Sequence, residues 1–161
     1  MKLLIVGAGG HCEVIKEIAE ELGYEKISYL DDDSIKAIGT IDDISKFKEY
    51  EHAICSIGKN KIREEVNNKI IENGFRLPVL IHPSAYISKS AKIGEGTVIE
   101  ANAMVNSNTV VGKGCLISTG AIIDHNAEVE EYAYVNSGAV VEAGAYVGKY
   151  EKIAAGGVKK K

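Results

Sequence analysis

The chain has 161 residues, of which 45% are hydrophobic, and its 19 Lys and Arg residues are slightly outnumbered by 23 Asp and Glu residues. This length has room for one domain or for two small ones. The mild negative charge and the absence of a basic stripe argue against nucleic acid as the main partner.

The apolar and cysteine patterns disfavour two further classes of protein. No apolar segment is long enough to predict a signal peptide or a membrane span, so we expect a cytoplasmic protein that does not bind a membrane. Cys12, Cys55 and Cys115 are far apart and lack metal-ligand spacing, so neither a disulfide framework nor a metal site is expected.

Residues 1–80 are predicted to form a small Rossmann-like α/β domain. Apolar segments at residues 2–6, 26–30, 52–57 and 77–81 predict four strands. Two helices are predicted, and their apolar faces are marked by Val14, Ile15, Ile18, Ala19 and Leu22 in the first and by Ile62, Val66 and Ile70 in the second. The β-α-β order indicates a parallel sheet whose ligands bind beyond the carboxyl ends of the strands.

The glycine-rich turn at residues 7–10 is a candidate nucleotide site. Glycine allows close approach of the backbone, and the amino terminus of the helix that follows favours a phosphate. Asp31 or Asp32, directly after the second predicted strand, is placed to accept hydrogen bonds from a ribose. Cys12 stands where a GxGxxG motif has its third glycine, so a mononucleotide or a nucleotide sugar is favoured over NAD. The alternative is a glycine turn that only packs.

From residue 81 onwards the sequence repeats every six residues. Each of thirteen consecutive hexads begins with Ile or Val, namely Ile81, Ile87, Ile93, Ile99, Val105, Val111, Ile117, Ile123, Val129, Val135, Val141, Val147 and Ile153. The residue three places later, which we call the corner residue, is mostly Gly or Asn, and both tolerate a left-handed backbone.

One inward aliphatic residue and one left-handed corner per hexad predict a short strand followed by a sharp turn. Three hexads then close a triangular coil, and each strand lies about 4.8 Å above its equivalent in the previous coil. The sequence therefore predicts a left-handed parallel β-helix over residues 81–161.

Several strings resemble one family across nearly the whole chain. They are LIVGAGGHCEV at residues 4–14, the pair Asp31 and Asp32, Gly58 and Asn60, and LIHPSA at residues 80–85. Together they resemble the hexapeptide-repeat acyltransferases of the sialic acid O-acetyltransferase and UDP-4-amino-sugar N-acetyltransferase family. The resemblance implies a homotrimer that binds acetyl-CoA in a groove between neighbouring β-helices. It also implies contacts to the UDP-sugar from Gly9, Gly10, His11, Asp31, Asp32 and Asn60, although His11 is equally explained as a helix-start residue.

His125 is the candidate general base. It directly precedes the corner residue Asn126, so we expect its side chain to project outward at an edge of the prism. Acetyl transfer to an amine or hydroxyl requires removal of a proton, and imidazole is suited to this at neutral pH. The string Ile123-Asp124-His125 resembles the family's catalytic site, which implies that an adjacent group orients the imidazole. Asp124 and Asn126 are both candidates, and Gly138 and Gly144 are candidates to donate a backbone N–H to the oxyanion.

Two features depart from the family pattern. Asn126 stands where relatives usually have Asp or Glu, and an amide can orient an imidazole without stabilising its charge. Fewer coils follow His125 than in relatives, so we expect a shortened acetyl-CoA groove. The preferred function is acetyl-CoA-dependent acetylation of the amino group of a UDP-4-amino sugar in glycan biosynthesis. The alternatives are O-acetylation of sialic acid or a related sugar, and a trimeric nucleotide-sugar-binding protein without catalysis.

Overall fold

The computed structural model describes all residues from 1 to 161, which form two compact units, Met1–Leu80 and Ile81–Lys161. We call them the N-terminal unit and the β-helix unit. Each has a hydrophobic core of its own. None of the helices combines the length and the apolar character that crossing a bilayer requires.

The N-terminal unit is built on a four-stranded parallel sheet in the order β3-β2-β1-β4. Its elements along the chain are β1 (Lys2–Val6), α1 (His11–Glu21), β2 (Lys26–Leu30), β3 (Ala37–Gly39), a 3-10 helix (Ile41–Lys46), β4 (His52–Cys55) and α2 (Asn60–Glu72). The central strand β1 is a run of aliphatic residues that are completely buried from Leu3 onwards. A continuous apolar run of this kind is expected of a parallel strand covered on both faces.

Some details of this unit differ from the sequence prediction. The segment predicted as a strand over residues 52–57 ends at Cys55, and β3 and the 3-10 helix were not predicted because their short segments carry no clear periodicity. Ile62 was placed on the apolar face of α2, but it is 38% exposed. Arg63 lies on the buried face instead, because its guanidinium binds backbone carbonyls of the preceding loop.

The β-helix unit consists of two-residue strands arranged in three parallel sheets. The strands, in chain order, are β5 (Leu80–Ile81), β6 (Tyr86–Ile87), β7 (Lys92–Ile93), β8 (Val98–Ile99), β9 (Met104–Val105), β10 (Val110–Val111), β11 (Leu116–Ile117), β12 (Ile122–Ile123), β13 (Glu128–Val129), β14 (Tyr134–Val135), β15 (Val140–Val141), β16 (Tyr146–Val147), β17 (Lys152–Ile153) and β18 (Val158–Lys159). From β8 onwards each strand pairs with the one that lies three strands earlier, so that Ile122 faces Met104 and Ile123 faces Val105. The predicted left-handed parallel β-helix and the Rossmann-like fold before it are confirmed.

The corners of the coils have the backbone conformation that the repeat predicts. Every corner residue from Gly96 to Gly156 has a positive φ, including the bulky Tyr132 and Tyr150. Ser84 and Ser90 occupy the same position in the first two hexads and do not share this conformation. Their hydroxyl oxygens accept hydrogen bonds from the next coil's corner N–H groups, whereas in later coils a backbone carbonyl accepts that bond.

The corner at Gly114 yields a prediction about packing. Gly114 and Gly120 have nearly the same positive φ, 64° and 67°, but a Cβ on Gly114 would lie 2.2 Å from the Tyr132 ring, whereas nothing lies within 4 Å of one on Gly120. Left-handed strain alone should make Gly120→Ala cost about 1–2 kcal/mol of the free energy of unfolding. Gly114→Ala should cost about 1–3 kcal/mol more, because the added methyl group would overlap the fully buried Tyr132 ring. Urea unfolding of both variants tests this, and equal losses would contradict it.

Candidate active site

His125 lies at a corner of the β-helix unit. The side chain of Ile123 points into the core at the end of β12, and the chain then turns through Asp124, His125 and Asn126 before β13 begins. Asn126 has a φ of 57°, and this left-handed bend leaves the imidazole of His125 exposed. The position that the repeat predicted for this side chain is thus the one that the structure shows.

The backbone around His125 is held from the coils on both sides. The N–H of Asn126 donates to the carbonyl of Ser107 at 2.9 Å, and the carbonyl of His125 accepts the N–H of Gly144 at 2.9 Å. Both partners belong to adjacent coils, so the imidazole projects from a backbone that has little freedom to shift.

Asp124 supports the backbone of this corner and does not contact the imidazole ring. Its Oδ1 accepts the backbone N–H of His125 at 2.7 Å and the side-chain amide of Asn106 at 3.1 Å. The His125 N–H, more than the Asn106 amide, lowers the pKa of the Asp124 carboxyl below its ordinary value. Asp124 therefore stays ionised and holds the turn from which His125 projects.

Asn126 is the residue that contacts the imidazole. Its Nδ2 lies 3.1 Å from Nδ1 of His125, and the donor and acceptor roles depend on the histidine tautomer. With the amide nitrogen facing Nδ1, the neutral ring carries its proton on Nε2. Rotating the amide by a half turn places Oδ1 there instead, which favours a proton on Nδ1 and leaves Nε2 able to accept one.

The two glycines predicted to donate to an oxyanion have their N–H groups engaged elsewhere. Gly144 donates to the carbonyl of His125 and Gly138 to the carbonyl of Thr119, each at 2.9 Å. Corner N–H groups form the bonds that join successive coils, and this argues against an oxyanion role for these two glycines.

The backbone N–H of Ala143 makes no hydrogen bond within the chain. Ala143 occupies the same hexad position as His125 one coil later, and stacked coils are about 4.8 Å apart. Its N–H is therefore a better placed donor beside the imidazole than either glycine.

In the N-terminal unit, the glycine-rich turn is open where the sequence predicts a ligand. No atom lies within 4 Å of the position that a Cβ would take on Gly9 or Gly10, and both residues are exposed. Gly10 is the N-cap of α1 and provides no side-chain cap, and His11, which is half-buried, is the first residue of that helix. A helix amino terminus behind an open glycine turn suits an anionic group.

The two aspartates after β2 differ in their surroundings. Asp31 is tied to the glycine turn, since its Oδ2 accepts the N–H of Ala8 at 2.8 Å and its Oδ1 that of Asp33 at 2.9 Å. These two bonds, led by the one from Asp33, lower the pKa of the Asp31 carboxyl. Asp32 is exposed, and its Oδ1 accepts the N–H of Ile41 at 3.0 Å. Asp31 therefore shapes the turn in addition to any role toward a ribose.

Asn60 begins α2 and is bonded to a residue that the sequence prediction missed. Its Oδ1 accepts a hydrogen bond from Nη2 of Arg63 at 2.7 Å. Arg63 is completely buried although it carries a charge. The spacing of the residues could have indicated this burial, because Arg63, Val66 and Ile70 lie on one face of a helix.

Two of the other histidines have local partners. Nδ1 of His52 lies 2.7 Å from the hydroxyl of Tyr24, and Nδ1 of His82 lies 2.8 Å from that of Ser84. No group of three or more His, Cys, Asp or Glu side chains in the chain is placed to hold a metal ion. His125 is the one exposed histidine of the four.

Each half of the chain matches a known protein family. Residues 2–70 match the family described as the PglD N-terminal domain, and residues 78–159 match the GMPPB C-terminal domain. Over 108 residues the chain is 32% identical to UDP-N-acetylbacillosamine N-acetyltransferase of Bacillus subtilis, a match that covers 60% of this chain and 50% of that protein. The match thus spans about half the length of this curated relative.

Solved structures resemble the chain over almost all of its length. The acetyltransferase domain of PglB from Neisseria gonorrhoeae has a TM-score of 0.93 and 34% identity, with 98% of this chain and 81% of that chain covered. That domain has also been solved in complex with acetyl coenzyme A. A mutant of GDP-perosamine N-acetyltransferase from Caulobacter crescentus, solved with CoA and GDP-perosamine, has a TM-score of 0.88 and 26% identity, with 100% of this chain and 89% of that chain covered.

The likeness extends from the glycine-rich turn through the His125 corner and combines two domain types in the same order. The chain therefore belongs to the family of hexapeptide-repeat sugar acetyltransferases.

Proposed function

We propose that this protein transfers the acetyl group of acetyl-CoA to the amino group of a nucleotide-linked amino sugar. The observation that carries the proposal is the exposed imidazole of His125, fixed at a β-helix corner in a chain that is 34% identical to an acetyltransferase domain that binds acetyl-CoA. Relatives named for acting on UDP-linked and GDP-linked amino sugars support the acceptor class. A UDP-4-amino sugar is our preferred acceptor, and the reaction belongs to glycan biosynthesis.

The chemistry requires a base for the amine and a donor for the carbonyl oxygen. Nε2 of His125 accepts the proton that the amine loses as its nitrogen attacks the acetyl carbon. The tetrahedral intermediate then collapses with cleavage of the C–S bond, and the CoA thiolate takes that proton and leaves as the thiol. Asn126, with Oδ1 turned toward Nδ1, keeps the Nδ1–H tautomer that this step needs. The N–H of Ala143 donates to the oxyanion that develops on the acetyl carbonyl.

A homotrimer would give the base a neighbouring surface. The outward residues of the sheet that contains β12 are all apolar, and four of them are exposed: Tyr86, Met104, Ile122 and Val158. The fifth, Val140, is half-buried. An apolar stripe of this length is typical of a protein-protein contact. Ile122 lies three residues before His125, so a subunit packed on this stripe would border the imidazole.

Two variants test the imidazole mechanism. His125→Ala should lower kcat about 10²–10⁴-fold, the usual contribution of a general base, with acetyl-CoA affinity retained. Asn126→Asp should raise kcat, because a carboxylate accepts from Nδ1 and stabilises the imidazolium.

The measurement is CoA release with UDP-linked and GDP-linked 4-amino sugars, with sialic acid as the O-acetylation control. Equal kcat values for His125→Ala and the wild type would remove His125 from the mechanism. Acetylation of sialic acid alone would contradict the N-acetyl acceptor.

The oxyanion donor can be removed by one proline. Ala143→Pro eliminates the N–H and should fold, because Pro83 occupies the equivalent position of an earlier hexad. We expect kcat to fall about 10²–10³-fold, the cost of losing one oxyanion donor, with acetyl-CoA affinity little changed. Ala101→Pro is the matched control on a different edge of the prism and should keep the wild-type rate. A folded Ala143→Pro enzyme with full kcat would contradict the assignment.

The trimer is tested by placing a charge in the apolar stripe. Ile122 is 37% exposed, and Ile122→Lys should shift the protein from trimer to monomer in sedimentation velocity and abolish most acetyl transfer. Ile71→Lys is the control, because Ile71 is an equally apolar, 41% exposed side chain on α2. A wild-type protein that sediments as a monomer at assay concentration would refute the trimer.

A further inference from the structure

A buried guanidinium lies beneath the loop between β4 and α2. Arg63 is completely buried, and its Nη1 donates to the carbonyls of Ile57 at 3.2 Å and Gly58 at 3.1 Å, while its Nη2 donates to Oδ1 of Asn60 at 2.7 Å. Removing a guanidinium from water is costly unless hydrogen bonds replace its hydration. The three acceptors are therefore held on the inner side of the loop, and Arg63 determines the loop's shape.

The same contact fixes the direction of the Asn60 side chain. A guanidinium offers only donors, so the amide atom that faces it is the oxygen. The Asn60 amide nitrogen, which carries two N–H donors, consequently lies on the side of the amide away from Nη2 of Arg63. A ligand that contacts this amide group from that side must therefore present a hydrogen-bond acceptor.

The loop is also joined to the glycine-rich turn. Ser56, directly after β4, donates its hydroxyl hydrogen to the carbonyl of Gly7 at 2.8 Å. A Cβ on Gly7 would lie 2.7 Å from the Ser56 hydroxyl oxygen, so the two segments are in close contact. A shift of the loop after β4 would consequently be felt at the candidate phosphate-binding turn.

We propose that Arg63 is a positioning residue that presents the Asn60 amide as a hydrogen-bond donor to an acceptor oxygen of the nucleoside diphosphate portion of the substrate. This inference rests on the proposed function, in which the N-terminal unit binds a nucleotide sugar. It assigns a role to Arg63 and a donor role to Asn60 that neither residue type implies by itself.

Asn60→Asp separates the donor role from a structural one. Its carboxylate still accepts from Arg63 and favours a helix amino terminus, so the thermal unfolding midpoint should equal or exceed that of the wild type. Its affinity for UDP or GDP, measured by calorimetry, should fall about tenfold or more because the donor is lost. Asn68→Asp adds the same charge at an exposed position of α2 and should leave the affinity unchanged.

Arg63→Lys tests the positioning role without removing the positive charge. A single ammonium cannot reproduce the planar fork, so hydrogen exchange should accelerate at the amides of Ile57 and Arg63, which donate to Cys55 Sγ and to the Lys59 carbonyl. Nucleotide affinity should fall about tenfold. Wild-type exchange in Arg63→Lys, or wild-type affinity in Asn60→Asp, would overturn the proposal, as would equal losses in Asn60→Asp and Asn68→Asp. If the wild type binds neither nucleotide, the proposed function fails, and the exchange result alone decides whether Arg63 positions the loop.

Discussion

The structure depends on the hydrogen bonds that join each coil of the β-helix to the next. They require that strands three positions apart stay in register and that each corner adopts a left-handed backbone. This register places His125 and Ala143 at equivalent positions in successive coils. The hydrogen bonds between coils also occupy the N–H groups of Gly138 and Gly144. Under the proposed function, the chemistry is left to groups that these hydrogen bonds do not use, namely the outward imidazole of His125 and the backbone N–H of Ala143.

Polar side chains in both units hold the backbone that carries the candidate ligand-contacting groups. Asp124 binds the His125 N–H, Asp31 binds the N–H of Ala8, and Arg63 binds the carbonyls after β4. From the sequence, Asp124 and Asp31 were predicted to act directly on the imidazole or the ligand, and Arg63 was not predicted to have a role. Their hydrogen bonds hold the His125 corner, the glycine-rich turn and the loop after β4 in fixed geometry, because each joins a charged group to the backbone.

The sequence was most informative where a period repeats. Thirteen hexads predicted the β-helix, its corners and the outward direction of His125, because one physical requirement recurs in every coil. The sequence was least informative where a single contact determines the direction of a side chain. Neither the choice of Asn126 over Asp124 as the imidazole's neighbour nor the burial of Arg63 follows from residue type, because each depends on the direction of a side chain. Short irregular segments such as β3 were missed because they carry no period.

A crystal structure of the protein with CoA and a UDP-4-amino sugar would test the central claim most directly. We expect a trimer in which Nε2 of His125 lies within hydrogen-bonding distance of the sugar's amino group and the Ala143 N–H points toward the thiol end of CoA. An imidazole distant from both ligands, or covered by side chains of its own subunit, would contradict the account.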